Sequence, residues 1–177
     1  MEELLHKNSS NGKVVNIKMR FTLIEIFLTI IFLFGAYPIN AQQNIADSLE
    51  HQNLQRQYIV HLPPGYNNNN PTPAVIVLHG GSGNYLSVQR FTQMNFVSNQ
   101  NNFLAVYPQG IGNAPPGYSW ADGRNTTADQ AGIDDVGFIS RLIETLYNDY
   151  NIDTNRVYIC GFSNGGFMTQ RLACETP

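Results

Sequence analysis

Residues 157–166 read Val-Tyr-Ile-Cys-Gly-Phe-Ser-Asn-Gly-Gly, an apolar run that enters a Gly-x-Ser-x-Gly turn. The run is typical of a buried strand, and a helix is expected directly after the turn. Such a turn holds its serine in a strained conformation at the tip of the strand, and the flanking glycines leave room for the neighbouring strand and helix. The stretch therefore predicts that Ser163 is a catalytic nucleophile. The alternative is a glycine-rich turn with an inert serine, and the strand-turn-helix context favours the first interpretation.

Before this turn, the chain alternates short apolar runs with amphipathic ones. The runs predict strands over 56–62, 74–78, 103–107 and 156–161. They predict one helix from about Val88 to Ser98 and a second that is capped by Asp134 or Asp135. Strands that alternate with helices form βαβ units, so the fold class is α/β with a parallel sheet. The polar segment 42–55 is predicted to be a lead-in, and 109–131 a long loop.

Composition excludes some classes of function. The chain has 177 residues, 42% of them hydrophobic and 13% charged, and a formal net charge of -3, which suits one globular domain. Its ten Lys and Arg residues are scattered, so no nucleic-acid partner is expected. Two cysteines do not make a disulfide framework, and Cys160 is predicted to be a small buried hydrophobe, with Cys174 left unassigned.

The N-terminal region has the layout of a secretory signal peptide over residues 1–41. An apolar run at 26–36 follows three basic residues and precedes a small residue, Ala41; the basic residues are Lys13, Lys18 and Arg20. A transmembrane anchor is the alternative, but it needs about 20 apolar residues. Glu25 and Pro38 interrupt the longer apolar stretch and favour cleavage. Met19 would give a signal peptide of conventional length, so it is a candidate for the true start.

A second glycine turn, His79-Gly-Gly-Ser-Gly83, follows the predicted strand 74–78. Acyl transfer needs hydrogen-bond donors for the oxyanion as well as a nucleophile. We expect the backbone N–H of Asn164 to be one donor and that of Gly81 to be the other. His79 and Gly80 are expected to support the turn, and a role for His79 as the general base is the less favoured alternative.

The sequence does not supply the rest of a triad. In the serine-elbow fold the acid and then the histidine follow the serine, but only Glu175 follows Ser163 among acids, and no histidine does. Asp134 and Asp135 are expected to be helix caps. Trp120 is a candidate for lining the substrate pocket, although a lone tryptophan in a loop is as often packed on the core. No metal site is expected.

Several further motifs occur in the same order: Tyr107-Pro-Gln-Gly110, Ser119-Trp120, Asp134-Asp-Val-Gly-Phe138 and Asp153-Thr-Asn-Arg-Val-Tyr158. Together with the two glycine turns, they resemble the secreted polyhydroxybutyrate depolymerase and feruloyl esterase-like group of α/β-hydrolases, from about Gln57 to Glu175. The resemblance implies a three-layer α/β-hydrolase sandwich with a mostly parallel sheet. It also implies a secreted or periplasmic serine carboxylic-ester hydrolase with a Ser-Asp-His triad, no cofactor and an ester substrate such as a polyester, an acylated polysaccharide or a small ester.

The sequence departs from this family where it stops at Pro177, because the triad Asp and His lie on later strands in the family. Residues 56–177 are therefore expected to be the N-terminal part of the domain, truncated after the elbow helix. We expect this piece alone to fold poorly and to be inactive, and the protein to have no stable membrane association once its signal peptide is cleaved. A serine peptidase on the same fold and a non-catalytic module are the alternatives.

Overall fold

The computed structural model describes residues 43–111 and 118–176, and the backbone of 5–7 and 14–16. The chain divides into two units, residues 1–39 and 40–177. In the first unit, strands β1 (Leu5–Lys7) and β2 (Val14–Asn16) pair antiparallel. Most of the predicted signal peptide lies outside the described residues. Among the residues that are described, no helix is long and apolar enough to cross a membrane.

The second unit is built on a five-stranded sheet with the order β3-β4-β6-β5-β7. Its strands β3 to β7 are Gln43–His51, Leu54–Leu62, Thr72–Leu78, Leu104–Pro108 and Ile152–Gly161. Its helices α1 to α5 are Tyr85–Thr92, Met94–Asn101, Thr127–Gln130, Asp135–Tyr150 and Asn164–Glu175. Strands β3, β4 and β6 pair antiparallel, whereas β6, β5 and β7 pair parallel. The two glycine turns follow directly after β5 and β7, which belong to the parallel part of the sheet.

Helices cover both faces of the sheet. Because side chains alternate along a strand, Ile76 and Leu78 of β5 face one side and Val77 the other. The first side packs against α4 and α5 around Phe138, Leu142 and Met168. The second side packs against α1 and α2, with Val88 at its centre. The predicted three-layer α/β sandwich is confirmed.

The predicted lead-in is wrong, because residues 43–51 form β3 at one edge of the sheet. Its side chains are mostly exposed, and the strand is held by a backbone ladder with β4 that runs from Gln43 opposite Leu62 to His51 opposite Leu54. Gln52 and Asn53 connect the two strands, with φ of 51° and 59°. Two positive φ values are what a tight two-residue hairpin turn requires. The structural domain therefore begins before residue 56.

Two predicted boundaries also change. The single helix over 88–98 is two helices, α1 and α2, because Gln93 lies between them in the left-handed region at φ 52°. Strand β7 begins at Ile152, four residues before the predicted start, and a register shift occurs where it pairs with the beginning of β5. Asp134 caps α4 as expected, since its carboxylate accepts from the Gly137 N–H at 2.8 Å.

Candidate active site

Ser163 stands between the end of β7 at Gly161 and the start of α5 at Asn164. Its backbone has φ 53° and ψ -117°, an unfavourable conformation for a residue with a side chain, and the residue is exposed. A Cβ on Gly161 would collide with the carbonyl of Gly165, and one on Gly165 would lie 2.5 Å from the His79 carbonyl oxygen. Both glycines are therefore needed for the close approach of strand, turn and helix.

The glycine turn after β5 lies directly against this elbow. A Cβ added at Gly80 would be 3.5 Å from the Ser163 Cβ, and one added at Gly81 would be 3.6 Å from the Asn164 Cβ. Within the turn, the Gly83 N–H donates to the Gly80 carbonyl at 3.0 Å. The N–H groups of Gly81 and Asn164 have no hydrogen-bond partner among residues 43–111 and 118–176. The two residues that were predicted from the sequence to be oxyanion donors, Gly81 and Asn164, therefore lie next to each other in the structure.

His79 is buried beneath the turn, with 0% of its surface exposed. Its Nε2 accepts from the Gly110 N–H at 3.0 Å, and its Nδ1 lies 2.8 Å from the Gly80 carbonyl oxygen, to which a protonated Nδ1 donates. Burial lowers the pKa of His79, against the opposing effect of its bond to the Gly80 carbonyl. A neutral ring with both nitrogens bound in this way supports the turn, and it is not free to accept a proton from Ser163.

Trp120 packs behind the site. Its side chain is fully buried, its ring centroid is 4.9 Å from that of His79, and its indole N–H donates to the His79 carbonyl at 2.9 Å. The second of the two roles considered for this residue, packing on the core, is the one that the structure shows. Trp120 contributes to the site by fixing the end of β5, and its ring presents no surface to a substrate.

The side chain of Asn164 has a role that the sequence did not indicate. It accepts from the Trp120 N–H at 2.8 Å, donates to the Trp120 carbonyl at 3.1 Å, and donates to the Asp122 carboxylate at 2.7 Å. The same carboxylate accepts from Arg124 at 2.7 Å. Burial raises the pKa of Asp122, but the bonds from Arg124 and Asn164 outweigh it, so that its pKa lies below the ordinary value. The 118–124 segment is thereby fastened to the helix that begins at the elbow.

A buried ion pair is hydrogen-bonded to two points of the loop between β6 and α3. The side chains of Arg56 and Asp135 are 1% and 0% exposed, and the Arg56 Nη2 atom lies 2.5 Å from the Asp135 Oδ1 atom. Arg56 also donates to the Gln109 carbonyl at 3.3 Å, and Asp135 accepts from the Ala121 N–H at 2.7 Å. Burial lowers the pKa of Arg56 and raises that of Asp135, each opposed by attraction to the other. The sequence indicated Asp135 only as a cap and Arg56 only as part of a strand, because their contact spans 79 positions.

Two other described histidines are engaged elsewhere. The ring nitrogens of His61 lie 2.8 Å from the side-chain oxygens of Asn44 and Asn99, and His51 pairs with Asp134 at 2.9 Å. Over residues 43–111 and 118–176, no hydrogen bond joins a histidine to Ser163. The same residues contain no cluster of three or more His, Cys, Asp or Glu side chains that could hold a metal ion.

A serine at a strand-turn-helix elbow, on a sheet covered by helices on both faces, defines the α/β-hydrolase fold. Residues 56–177 match the family model described as Esterase PHB depolymerase. The chain belongs to this family.

Named relatives of the chain are esterases and depolymerases. It is 37% identical over 123 residues to feruloyl esterase D of Neurospora crassa, which covers 68% of this chain and 41% of that protein. It is 31% identical over 127 residues to the bifunctional acetylxylan esterase/xylanase XynS20E of Neocallimastix patriciarum, covering 72% and 17%. With poly(3-hydroxyalkanoate) depolymerase C of Paucimonas lemoignei it shares 28% over 123 residues, covering 68% and 28%. The matched region thus spans less than half of each relative.

Solved structures show the same fold. A ferulic acid esterase superposes with a TM-score of 0.60 at 17% identity, over 79% of this chain and 55% of that one. The acetyl xylan esterase from Aspergillus awamori superposes with a TM-score of 0.58 at 18% identity, over 77% and 48%. At these identities the likeness supports the fold alone.

Proposed function

We propose that this protein is a serine carboxylic-ester hydrolase that forms an acyl-enzyme on Ser163. The observation that carries the proposal is the exposed Ser163 at φ 53°, placed beside a glycine turn whose Gly81 N–H is unpartnered among the described residues. A serine hydroxyl attacks a carbonyl only where it is exposed and where the developing oxyanion is stabilised. Membership of an esterase family supports the same reaction class.

In this mechanism the Ser163 Oγ attacks the ester carbonyl carbon while a general base takes up the proton of its hydroxyl, and the base later returns this proton to the leaving alcohol. The carbonyl oxygen becomes an oxyanion and accepts hydrogen bonds from the backbone N–H groups of Gly81 and Asn164. Collapse of the tetrahedral intermediate expels the alcohol, which takes up a proton, and leaves the acyl group on Ser163. Attack by water then releases the carboxylic acid and restores the serine. The backbone donors lie on an elbow and a turn that His79 and Trp120 hold rigid, so little reorganisation is needed during the reaction.

The mechanism also requires a general base and a group that orients it. His79 has no free ring nitrogen, and His61 and His51 are committed to other partners. We therefore propose that the base and its acid come from outside the described residues.

The names of three relatives, a feruloyl esterase, an acetylxylan esterase/xylanase and a poly(3-hydroxyalkanoate) depolymerase, support a proposal for the substrate class. We propose an acylated polysaccharide or a polyester as the natural substrate. Such polymers do not enter a cell, so the proposal fits export through the predicted signal peptide over residues 1–41. Cleavage between Ala41 and Gln42 on secretion, read by N-terminal sequencing of the exported protein, tests this second proposal.

The reaction is tested by ester hydrolysis in the full-length protein. Ser163→Ala is expected to lower kcat for p-nitrophenyl acetate by several orders of magnitude, because removal of the nucleophile leaves only the contribution of binding and the oxyanion donors. Ser140→Ala is the matched control, since Ser140 is exposed on α4 and its hydroxyl bonds only to its own helix at the Val136 carbonyl. Retention of activity by Ser163→Ala would overturn the proposed mechanism.

A further inference from the structure

Two phenylalanines next to the elbow are exposed although they lie in contact with each other. Phe91 on α1 is 68% exposed and Phe162, directly before Ser163, is 56% exposed. Their ring centroids are 5.2 Å apart, with the planes tilted by 53°. Contiguous exposed apolar surface beside a reactive group is a candidate binding site for an apolar ligand.

These rings form one wall of a cleft with a volume of about 190 Å³. The cleft is lined by Gly80, Ser87, Val88, Phe91 and Phe162. Sites for drug-sized ligands have about 300–1,000 Å³, so this cleft suits a single ring or a short alkyl chain.

The cleft adjoins the nucleophile through Gly80 and Phe162. Gly80 belongs to its lining, and a Cβ on Gly80 would lie 3.0 Å from the Phe162 ring and 3.5 Å from the Ser163 Cβ. A group that is bound in the cleft against the two rings is therefore within a few bonds of an ester carbonyl at Ser163.

The lining also offers no free polar side chain. None of its five residues carries a charge. Its single hydroxyl, on Ser87, already donates to the Asn84 carbonyl at 2.7 Å and accepts from the Asn84 N–H at 2.9 Å. A sugar placed in the cleft would lose hydrogen bonds to water without replacement, whereas an aromatic or aliphatic group would gain burial.

We propose that the cleft beside the touching rings of Phe91 and Phe162 is a specificity subsite that binds an aromatic or short aliphatic group of the ester, attached on the acyl or the alcohol side of the reacting carbonyl. The inference rests on the proposed function of Ser163 and adds to it a preference for esters that carry an apolar group. Esters with an apolar group next to the carbonyl are cleaved faster than their small counterparts, and Phe91 carries much of that difference.

The test uses the full-length protein and two ratios of kcat/KM, p-nitrophenyl hexanoate to p-nitrophenyl acetate and benzyl acetate to methyl acetate. Phe91→Ala is expected to lower at least one ratio about tenfold, the size of effect that a lost apolar pocket contact produces. Phe91→Leu, which keeps an apolar side chain, should restore most of the ratio. Phe96→Ala is the matched control, because Phe96 is 62% exposed on α2 but lies outside the cleft.

A direct readout separates this inference from the reaction itself. The rate at which Ser163 is phosphonylated is measured with a methyl and a hexyl fluorophosphonate, and the hexyl preference should fall in Phe91→Ala and persist in Phe96→Ala. If Ser163 reacts but Phe91→Ala changes neither ester ratio nor this preference, the subsite is refuted and the esterase mechanism stands. If Ser163 of the unmodified protein reacts with neither reagent, both are refuted.

Discussion

The buried pair of Arg56 and Asp135 offers a strong test of how the loop behind the site is held. In Asp135→Asn, Arg56 would remain 1% exposed, with its Nε and Nη1 atoms already lacking partners in the described part of the chain. Removal of one partner of a buried pair leaves an uncompensated charge and costs about 3–5 kcal/mol. We expect the free energy of unfolding of the full-length protein to fall by that amount. Asp134→Asn is the neighbouring control, and a smaller loss is expected because that carboxylate is 42% exposed.

A double variant separates charge burial from simple loss of packing. In Arg56→Met/Asp135→Asn neither of the two substituted side chains carries a charge, and the side-chain oxygen at position 135 can still accept from the Ala121 N–H. We expect the double variant to be more stable than Asp135→Asn alone, so that the two substitutions are strongly non-additive. Urea unfolding of the unmodified protein, Asp135→Asn, Arg56→Met and the double variant measures this coupling. Additive effects, or a loss below 1 kcal/mol in Asp135→Asn, would refute the inference that this pair anchors the loop.

Three further predictions concern the elbow and its supports. Gly165→Ala should destabilise the protein severely in a thermal melt, because its Cβ would lie 2.5 Å from the His79 carbonyl oxygen, whereas Gly166→Ala, with a nearest contact of 3.2 Å, should be mild. His79→Ala should lower kcat for small esters by about 10²-fold through loss of the turn that presents Gly81, and a smaller loss than tenfold would contradict this. The pKa of Asp122 is lower in the folded protein, so its stabilising effect is present above the unfolded value of about 3.9 and is lost as pH falls through the folded value. Asp122→Asn should therefore flatten the acid limb of the stability-pH profile, and an unchanged limb would contradict this.

Local patterns predicted the elements that are defined by apolar runs. Strands β4 to β7, helix α4 and the elbow all carry such runs, and the glycines at 161 and 165 predicted the close approach that the structure shows. Strand β3 escaped prediction because it lies at the sheet edge with mostly exposed polar side chains, and its stability comes from a backbone ladder that leaves no apolar pattern in the sequence.

The supports of the site are long-range and had no local signal. The Asn164 side chain reaches Trp120 and Asp122 across more than forty positions, and Arg56 reaches Asp135 across 79. A single sequence contains no periodicity that reports such contacts. The break between α1 and α2 also has no local signal in the sequence. Gln93 has a left-handed backbone conformation, which is uncommon for glutamine, and the glycine that usually marks such a position is absent.

The role of Ser163 is tested most directly by the identity of the residue that a serine-directed fluorophosphonate modifies in the full-length protein. We predict a single adduct that peptide mapping by mass spectrometry places on Ser163, and its disappearance in Ser163→Ala but not in Ser140→Ala. An adduct that persists in Ser163→Ala, or a full-length protein that hydrolyses esters without any adduct at Ser163, would show that Ser163 is not the nucleophile.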